Sequence, residues 1–111
     1  MARNRIIKTL ESAGYNVKNY GTDWSKSDIY DVPNSPGIYA LYWGDTLQYI
    51  GMSEGAIPDR VNKWEYLDRN KIDNIPFGSF DWFTLPKNQV RGAEDYLIKY
   101  YQPPYNIKQR F

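Results

Sequence analysis

Residues 37–52 read GIYALYWGDTLQYIGM, and this stretch decides the fold. Two apolar, aromatic-rich runs at 37–43 and 47–52 flank the short segment Gly44-Asp45-Thr46. Such runs on either side of a Gly-Asp pair are typical of two antiparallel strands joined by a tight connection. The stretch therefore predicts a β-hairpin at the centre of the domain.

Helices are predicted on both sides of this hairpin, because apolar residues recur there at helical spacing. Gly14 provides a stop signal for the first helix, and Pro103 with Pro104 ends the last one. Pro58 suits the first turn of the helix that follows the hairpin, and Asn88 is suited to cap the last helix. The predicted helical segments are 3–13, 58–69 and 88–101.

The remaining segments complete an α+β prediction. Residues 79–85, SFDWFTL, predict a third strand, while the polar segment 15–36 is interpreted as a connection and YNIK at 105–108 as an extended tail. The expected fold is a small three-stranded antiparallel sheet flanked by helices, with an N-terminal helical extension. Residues 1–33 form this extension and its connecting segment, and 34–111 form the main domain of one compact unit.

Composition excludes several kinds of site. The 111-residue chain contains neither Cys nor His, which excludes thiolate and imidazole metal sites, cysteine nucleophiles and the Ser-His-Asp triad. A metal ion must therefore bind oxygen ligands, as Mg²⁺, Mn²⁺ and Ca²⁺ do. The formal net charge of +1 does not by itself indicate a nucleic-acid-binding protein.

No membrane or secretion signal is visible in the sequence. The apolar runs are too short to span a bilayer, and residues 1–20 lack the apolar centre of a signal peptide. We therefore expect a cytoplasmic protein with no membrane partner.

Two tripeptides on the predicted hairpin, GIY at 37–39 and YIG at 49–51, resemble the motifs of the GIY-YIG nuclease family. The resemblance continues downstream in the family's order. Arg60 lies in the helix after the hairpin, Glu94 lies in RGAEDYLI, and Asn106 ends PPYN. All the elements occur on the expected kinds of secondary structure.

The resemblance covers residues 34–108 and implies a metal-dependent endonuclease that hydrolyses DNA phosphodiester bonds. By this resemblance, Tyr39 is the general base, and Tyr49 orients the water or the phosphate. Arg60 holds the scissile phosphate, and Glu94 alone binds the divalent metal ion, Mg²⁺ or Mn²⁺. Support for the site is expected from Gly37, Gly51 and Asn106.

Two of the supporting residues have specific expected roles. Gly51 would let the backbone and a phosphate approach closely, or would only form a turn after the strand. Asn106 is expected to fix the backbone of the tail near the site through its side-chain amide.

The register of the hairpin determines whether the two tyrosines share a face. Because strand side chains alternate, Tyr39 and Tyr49 lie on one face only if the connection has an odd number of residues. Turn chemistry slightly favours a two-residue Gly44-Asp45 turn, whereas the implied function requires the odd connection. We therefore predict a three-residue loop, Gly44-Asp45-Thr46.

Trp64 departs from the family pattern, in which many members carry His or Tyr four residues after the arginine. A tryptophan cannot relay a proton, so we interpret Trp64 as a packing residue, with stacking on DNA as the alternative. Other contacts with DNA phosphates are predicted for basic side chains, although exposed basic residues often serve only to solvate a surface. These residues are Lys63, Arg91, Lys99, Lys108 and Arg110, with Arg3, Arg5 and Lys8 in the first helix.

The rival interpretation is a catalytically inactive DNA-binding or protein-interaction module on the same fold. Low net charge and Trp64 favour it, whereas retention of Arg60 and Glu94 argues against it. In 111 residues we expect no separate DNA-binding domain. Specificity would then be low, or would come from the N-terminal extension, a homodimer or a targeting partner.

Overall fold

The computed structural model describes residues 5–72 and 74–109. In this part of the chain, four strands form one antiparallel sheet with the order β1-β4-β2-β3. The predicted α+β class is confirmed, but the prediction of three strands is wrong. The strands are β1 Asn19–Ser25, β2 Gly37–Trp43, β3 Thr46–Ser53 and β4 Ser79–Thr84.

Four α-helices and one 3₁₀ helix accompany the sheet within the described residues. None of these helices is both long and apolar enough to cross a membrane. The prediction of an extended tail is wrong, because Pro104 begins another helix; proline is well suited to a first helical turn. The helices are α1 Arg5–Ser12, α2 Ile57–Asn70, α3 Lys87–Tyr101 and α4 Pro104–Gln109, and the 3₁₀ helix is Lys26–Asp31.

The additional strand β1 lies in the segment that the sequence presents as a connection. It pairs with β4, and its register shifts between Gly21 and Trp24. At this irregularity Asp23 has a φ of +59°, and its backbone N–H donates to the Asp81 carboxylate at 2.8 Å. The N-terminal segment therefore contributes an edge strand to the sheet that carries the hairpin.

The sheet has a buried layer on each face. On one face, α1 and α3 cover Ile38, Ala40 and Tyr42 of β2. On the other face, α2 and the 3₁₀ helix cover Tyr39 and Leu41 of the same strand. Because β2 is buried on both faces, its sequence is continuously apolar rather than alternating.

The hairpin has a two-residue turn, so the predicted three-residue loop is wrong. Trp43 pairs with Thr46, and Gly44 takes a φ of +61°, as turns with glycine in the first central position require. A β-bulge follows, because Tyr42 pairs with Leu47 while its neighbour in β2, Leu41, pairs with Tyr49.

The bulge places Tyr49 on the same face as Tyr39, which the three-residue loop was expected to do. Gln48 is the extra residue on β3, and one extra residue moves every following side chain to the other face. Tyr49 consequently lies opposite Leu41 and shares a face with Tyr39, with ring centroids 6.3 Å apart. The two tyrosines are therefore diagonal neighbours, as expected.

Candidate active site

A row of four paired residues across the sheet positions the ring of Tyr39. Gly21, Trp82, Tyr39 and Gly51 are paired in this order on the four strands. A Cβ atom at Gly51 would overlap the ring and hydroxyl of Tyr39, and one at Gly21 would overlap the indole of Trp82. Gly51 thus makes room for the tyrosine, whereas the sequence suggested that it makes room for a phosphate.

Glycine is required at position 37 for a different structural reason. A Cβ atom at this position would overlap the backbone carbonyl of Phe83 on β4. Only glycine permits the two strands to approach this closely at the start of β2. Gly37 therefore supports the strand that carries Tyr39 and does not line the groove described next.

The four residues predicted for catalysis meet in one groove at the β3 edge of the sheet. The groove has a volume of about 270 Å³. β2 and β3 provide Tyr39 and Tyr49, α2 provides Arg60, and α3 provides Glu94. The remaining lining residues are Met52, Lys63, Trp64 and Leu67.

Tyr39 is almost completely buried, with 2% of its surface exposed. Its hydroxyl oxygen accepts a hydrogen bond from the indole Nε1–H of Trp64 at 2.8 Å. Burial raises the pKa of Tyr39 far above its ordinary value, as does the neighbouring Tyr49, and the Trp64 hydrogen bond and the Arg60 charge only partly oppose this. The phenolate is therefore scarce at neutral pH and strongly basic when it forms.

Tyr49 is half-buried and more open to the groove. Burial also raises the pKa of Tyr49, and the charge of Glu94 raises it further, while Arg60 lowers it. Its ring packs against the indole of Trp64 with centroids 5.2 Å apart. Trp64 is thus a packing residue, as predicted, and it also donates a hydrogen bond to Tyr39 that the sequence did not suggest.

Two cations from α2 face the groove. Arg60 and Lys63 lie one turn apart on the helix, and both are exposed. Glu65, five residues after Arg60 on the same helix, pairs with Arg69 at 3.1 Å. The guanidinium of Arg60 consequently faces the groove without a salt bridge to Glu65.

Glu94 lies at the margin of the buried face of α3, as the helical spacing predicts, and is half-buried. Within the described chain, no cluster of three or more acidic residues forms a ready metal site. The groove instead offers one carboxylate and two phenol oxygens, an all-oxygen donor set. This chemistry fits Mg²⁺, which keeps several waters and uses substrate phosphate to complete its coordination.

Asn106 closes the free edge of β3 next to the groove. Its Nδ2 donates to the carbonyl of Ile50 at 2.8 Å, and its Oδ1 accepts from the Ile50 N–H at 2.7 Å. The side chain is 5% exposed, so it replaces a neighbouring strand for one residue of β3. Asn106 therefore acts through its amide, as predicted, and it fixes the strand that carries Tyr49.

We expect Asn106→Ala to lower the free energy of unfolding by about 2–4 kcal/mol, because both backbone groups of Ile50 would remain buried and unpaired. Urea unfolding at constant m-value measures the loss. Asn70→Ala is the matched control, since Asn70 is exposed and its Nδ2 donates to the carbonyl of Tyr66 within the same helix. Equal losses for the two variants would contradict the structural role of Asn106.

The other predicted DNA contacts lie outside the groove lining, apart from Lys63 and Trp64. Arg91 pairs with Glu54 at 2.8 Å, and Lys99 pairs with Asp95 at 3.0 Å. Arg5 and Lys8 are exposed on α1, which packs on the face opposite Tyr39. The remaining predicted contacts, Arg3, Arg110 and the side chain of Lys108, fall outside the described residues.

Sequence reasoning missed Met52 and Leu67 as lining residues of the groove. Leu67 lies seven residues after Arg60, two turns along the same helix, so the spacing of α2 carried this signal.

Neither the family models nor the curated proteins compared with this sequence give a match. A function for the groove is therefore argued from its residues and their geometry.

Proposed function

We propose that the protein is a metal-dependent endonuclease that hydrolyses DNA phosphodiester bonds in the groove. One observation carries this proposal: Tyr39, Tyr49, Arg60 and Glu94 are distant in the sequence, yet they line one cavity of about 270 Å³. Phosphodiester hydrolysis needs a cation that stabilises the charge of the phosphate, groups that hold the attacking water, and a ligand for a metal ion. The guanidinium, the two phenol hydroxyls and the carboxylate can meet these needs.

Arg60 binds the scissile phosphate in this proposal. Its planar guanidinium can donate two parallel hydrogen bonds to two phosphate oxygens, which a lysine cannot do. Lys63, one turn further along α2, adds a second positive charge at the same wall. Both charges are in place before the substrate arrives, so they stabilise the extra charge of the five-coordinate phosphorus without reorganisation.

The tyrosines handle the attacking water. Tyr49, the more accessible phenol, orients the water, and the Tyr39 phenolate accepts its proton as the water oxygen bonds to phosphorus. The bond from phosphorus to the leaving 3′-oxygen breaks in the same step. The indole N–H of Trp64 stabilises the Tyr39 phenolate, because a hydrogen bond to the charged form favours that form.

Glu94 would hold the divalent metal ion. When bound, Mg²⁺ or Mn²⁺ would act as a Lewis acid and stabilise the charge on the leaving oxygen. Because Glu94 is the one carboxylate among the described residues that line the groove, we expect weak metal binding in the absence of DNA.

Cleavage of a supercoiled plasmid tests the proposal. In Mg²⁺ or Mn²⁺ we expect nicked circles and then linear DNA, and with EDTA we expect neither. Single-stranded DNA is tested in parallel. Absence of cleavage with every divalent metal ion on both substrates would refute the proposed nuclease activity.

The raised pKa of Tyr39 is the observation that favours the alternative, an inactive DNA-binding module on the same fold. A binding module needs no phenolate, and burial of the phenol has no cost for it. The two functions differ in one measurable way, since the module binds DNA and gives no metal-dependent products.

A further inference from the structure

A second cavity, of about 360 Å³, lies at the end of the sheet where β1, β4 and α3 meet. Among the described residues, its lining contains two ammonium groups, from Lys18 and Lys87, and no carboxylate. Neutral polar side chains of Asn19, Ser35 and Thr84 complete the polar part of the wall. The charged side chains among these lining residues are therefore positive, which favours an anion.

The two lysines are not neutralised within the described residues. The salt bridges found there involve other lysines and arginines, so neither Lys18 nor Lys87 has a carboxylate within 4.0 Å. The hydrogen bond and charge of Arg91 lower the pKa of the Glu54 carboxyl group, and the charge of Lys87 adds a smaller contribution without forming a salt bridge. An anion in the cavity would be attracted by both ammonium groups.

The cavity and the candidate active site lie along the same helix. Lys87 and Glu94 are seven residues apart on α3, which corresponds to about 10 Å along the helix axis. One strand of duplex DNA advances about 3.4 Å per nucleotide along its axis, so this separation spans about three nucleotides. A strand that follows α3 from Glu94 would therefore bring another phosphate close to Lys87.

Arg91 lies between the two positions on α3, one turn after Lys87 and one turn before Glu94. Two of its guanidinium nitrogens are already engaged, since Nε and Nη2 donate to the two oxygens of Glu54 at 2.8 and 3.3 Å. The Arg91 side chain is 73% exposed, so a competing anion can approach the pair from solvent. A DNA phosphate can therefore replace the Glu54 carboxylate as the partner of Arg91.

We propose that the cavity between Lys18 and Lys87 binds a backbone phosphate of the substrate DNA, about three nucleotides from the phosphate in the groove. The inference rests on the proposed function for the identity of the substrate. It adds a second phosphate subsite and a direction for the bound strand, along the flank of α3 that carries Arg91.

Binding of oligodeoxynucleotides of increasing length, measured by fluorescence anisotropy without divalent metal ions, tests the subsite. We expect the affinity of the unmodified protein to rise on the order of tenfold once the strand is long enough to reach both cavities. In the double variant Lys18→Ala/Lys87→Ala this rise is absent, while the shortest strands bind as before. The slope of log K against log salt for long strands falls by about 1.

The matched control removes two positive charges from the far end of α2. In Arg69→Gln/Lys71→Asn, asparagine tolerates the left-handed φ of 57° at position 71. This variant is expected to keep the length dependence. Shifts of the backbone amide NMR signals of Lys18 and Lys87 on titration with inorganic phosphate provide a second measurement that does not depend on a variant.

The outcomes separate the subsite from the enzyme. An unchanged rise of affinity with length in the double variant, or phosphate shifts that avoid Lys18 and Lys87, would overturn the subsite even if the protein cleaves DNA. Conversely, a lost rise in the double variant with no cleavage by the unmodified protein would retain the phosphate subsite and reject the nuclease.

Discussion

Glu94→Gln is expected to reduce DNA cleavage by at least about a thousandfold and to leave DNA binding largely intact. The amide has nearly the same shape as the carboxylate but lacks the charge that holds a divalent cation. Arg60 and Lys63 remain in the groove and still attract the phosphate. Cleavage is measured on supercoiled plasmid and binding by anisotropy without metal ions.

Asp95→Asn is the matched control for this prediction. Asp95 is the next residue on α3, is 47% exposed and pairs with Lys99 at 3.0 Å, so it does not line the groove. The variant loses the same charge from the same helix, and we expect activity within about twofold of the unmodified protein because surface changes have small effects. Cleavage that survives in Glu94→Gln would remove Glu94 from the mechanism.

Local patterns predicted the central hairpin and the helices that flank it. β2 and β3 were predicted because apolar runs surround a glycine that the turn requires, and α2 and α3 because their apolar spacing repeats. These signals lie within single elements, so the sequence alone carries them.

β1 could not be predicted in this way. Its sequence, NYGTDWS, contains Gly and Asp, which are unfavourable in strands, and most of its residues are not buried. It is a strand because β4 offers an unpaired edge and because Asp81 binds the backbone at the irregular position Asp23. Both causes are tertiary contacts that local propensity does not contain.

The relative placement of the site residues was only partly predictable. The family resemblance implied that Tyr39, Arg60 and Glu94 act at one site, and the groove contains all three. The β-bulge at Gln48 was missed, because a bulge leaves no turn signature in the sequence. The hydrogen bond from Trp64 was missed as well, since the position suggested only packing.

Tyr39→Phe is expected to lower the cleavage rate by a factor on the order of 10²–10⁴, the usual contribution of a general base. Phenylalanine fills the same buried space beside Gly51, so the fold and the binding of DNA should be preserved. The variant loses the proton acceptor and leaves the indole N–H of Trp64 without its partner.

The pH profile of the unmodified protein is the second readout for Tyr39. Because burial raises the pKa of this phenol above its ordinary value of about 10, the phenolate fraction should grow about tenfold per pH unit from neutral pH upward, without a plateau below about pH 9.5. The same shift favours the folded state below about pH 10, and this stabilisation is lost as the pH rises further, so the profile is measured below that pH. Tyr39→Phe should flatten the profile. A plateau in the unmodified protein near pH 8, or an equally steep rise in Tyr39→Phe, would transfer the role of base to another group, with the more accessible Tyr49 as the first to test by Tyr49→Phe.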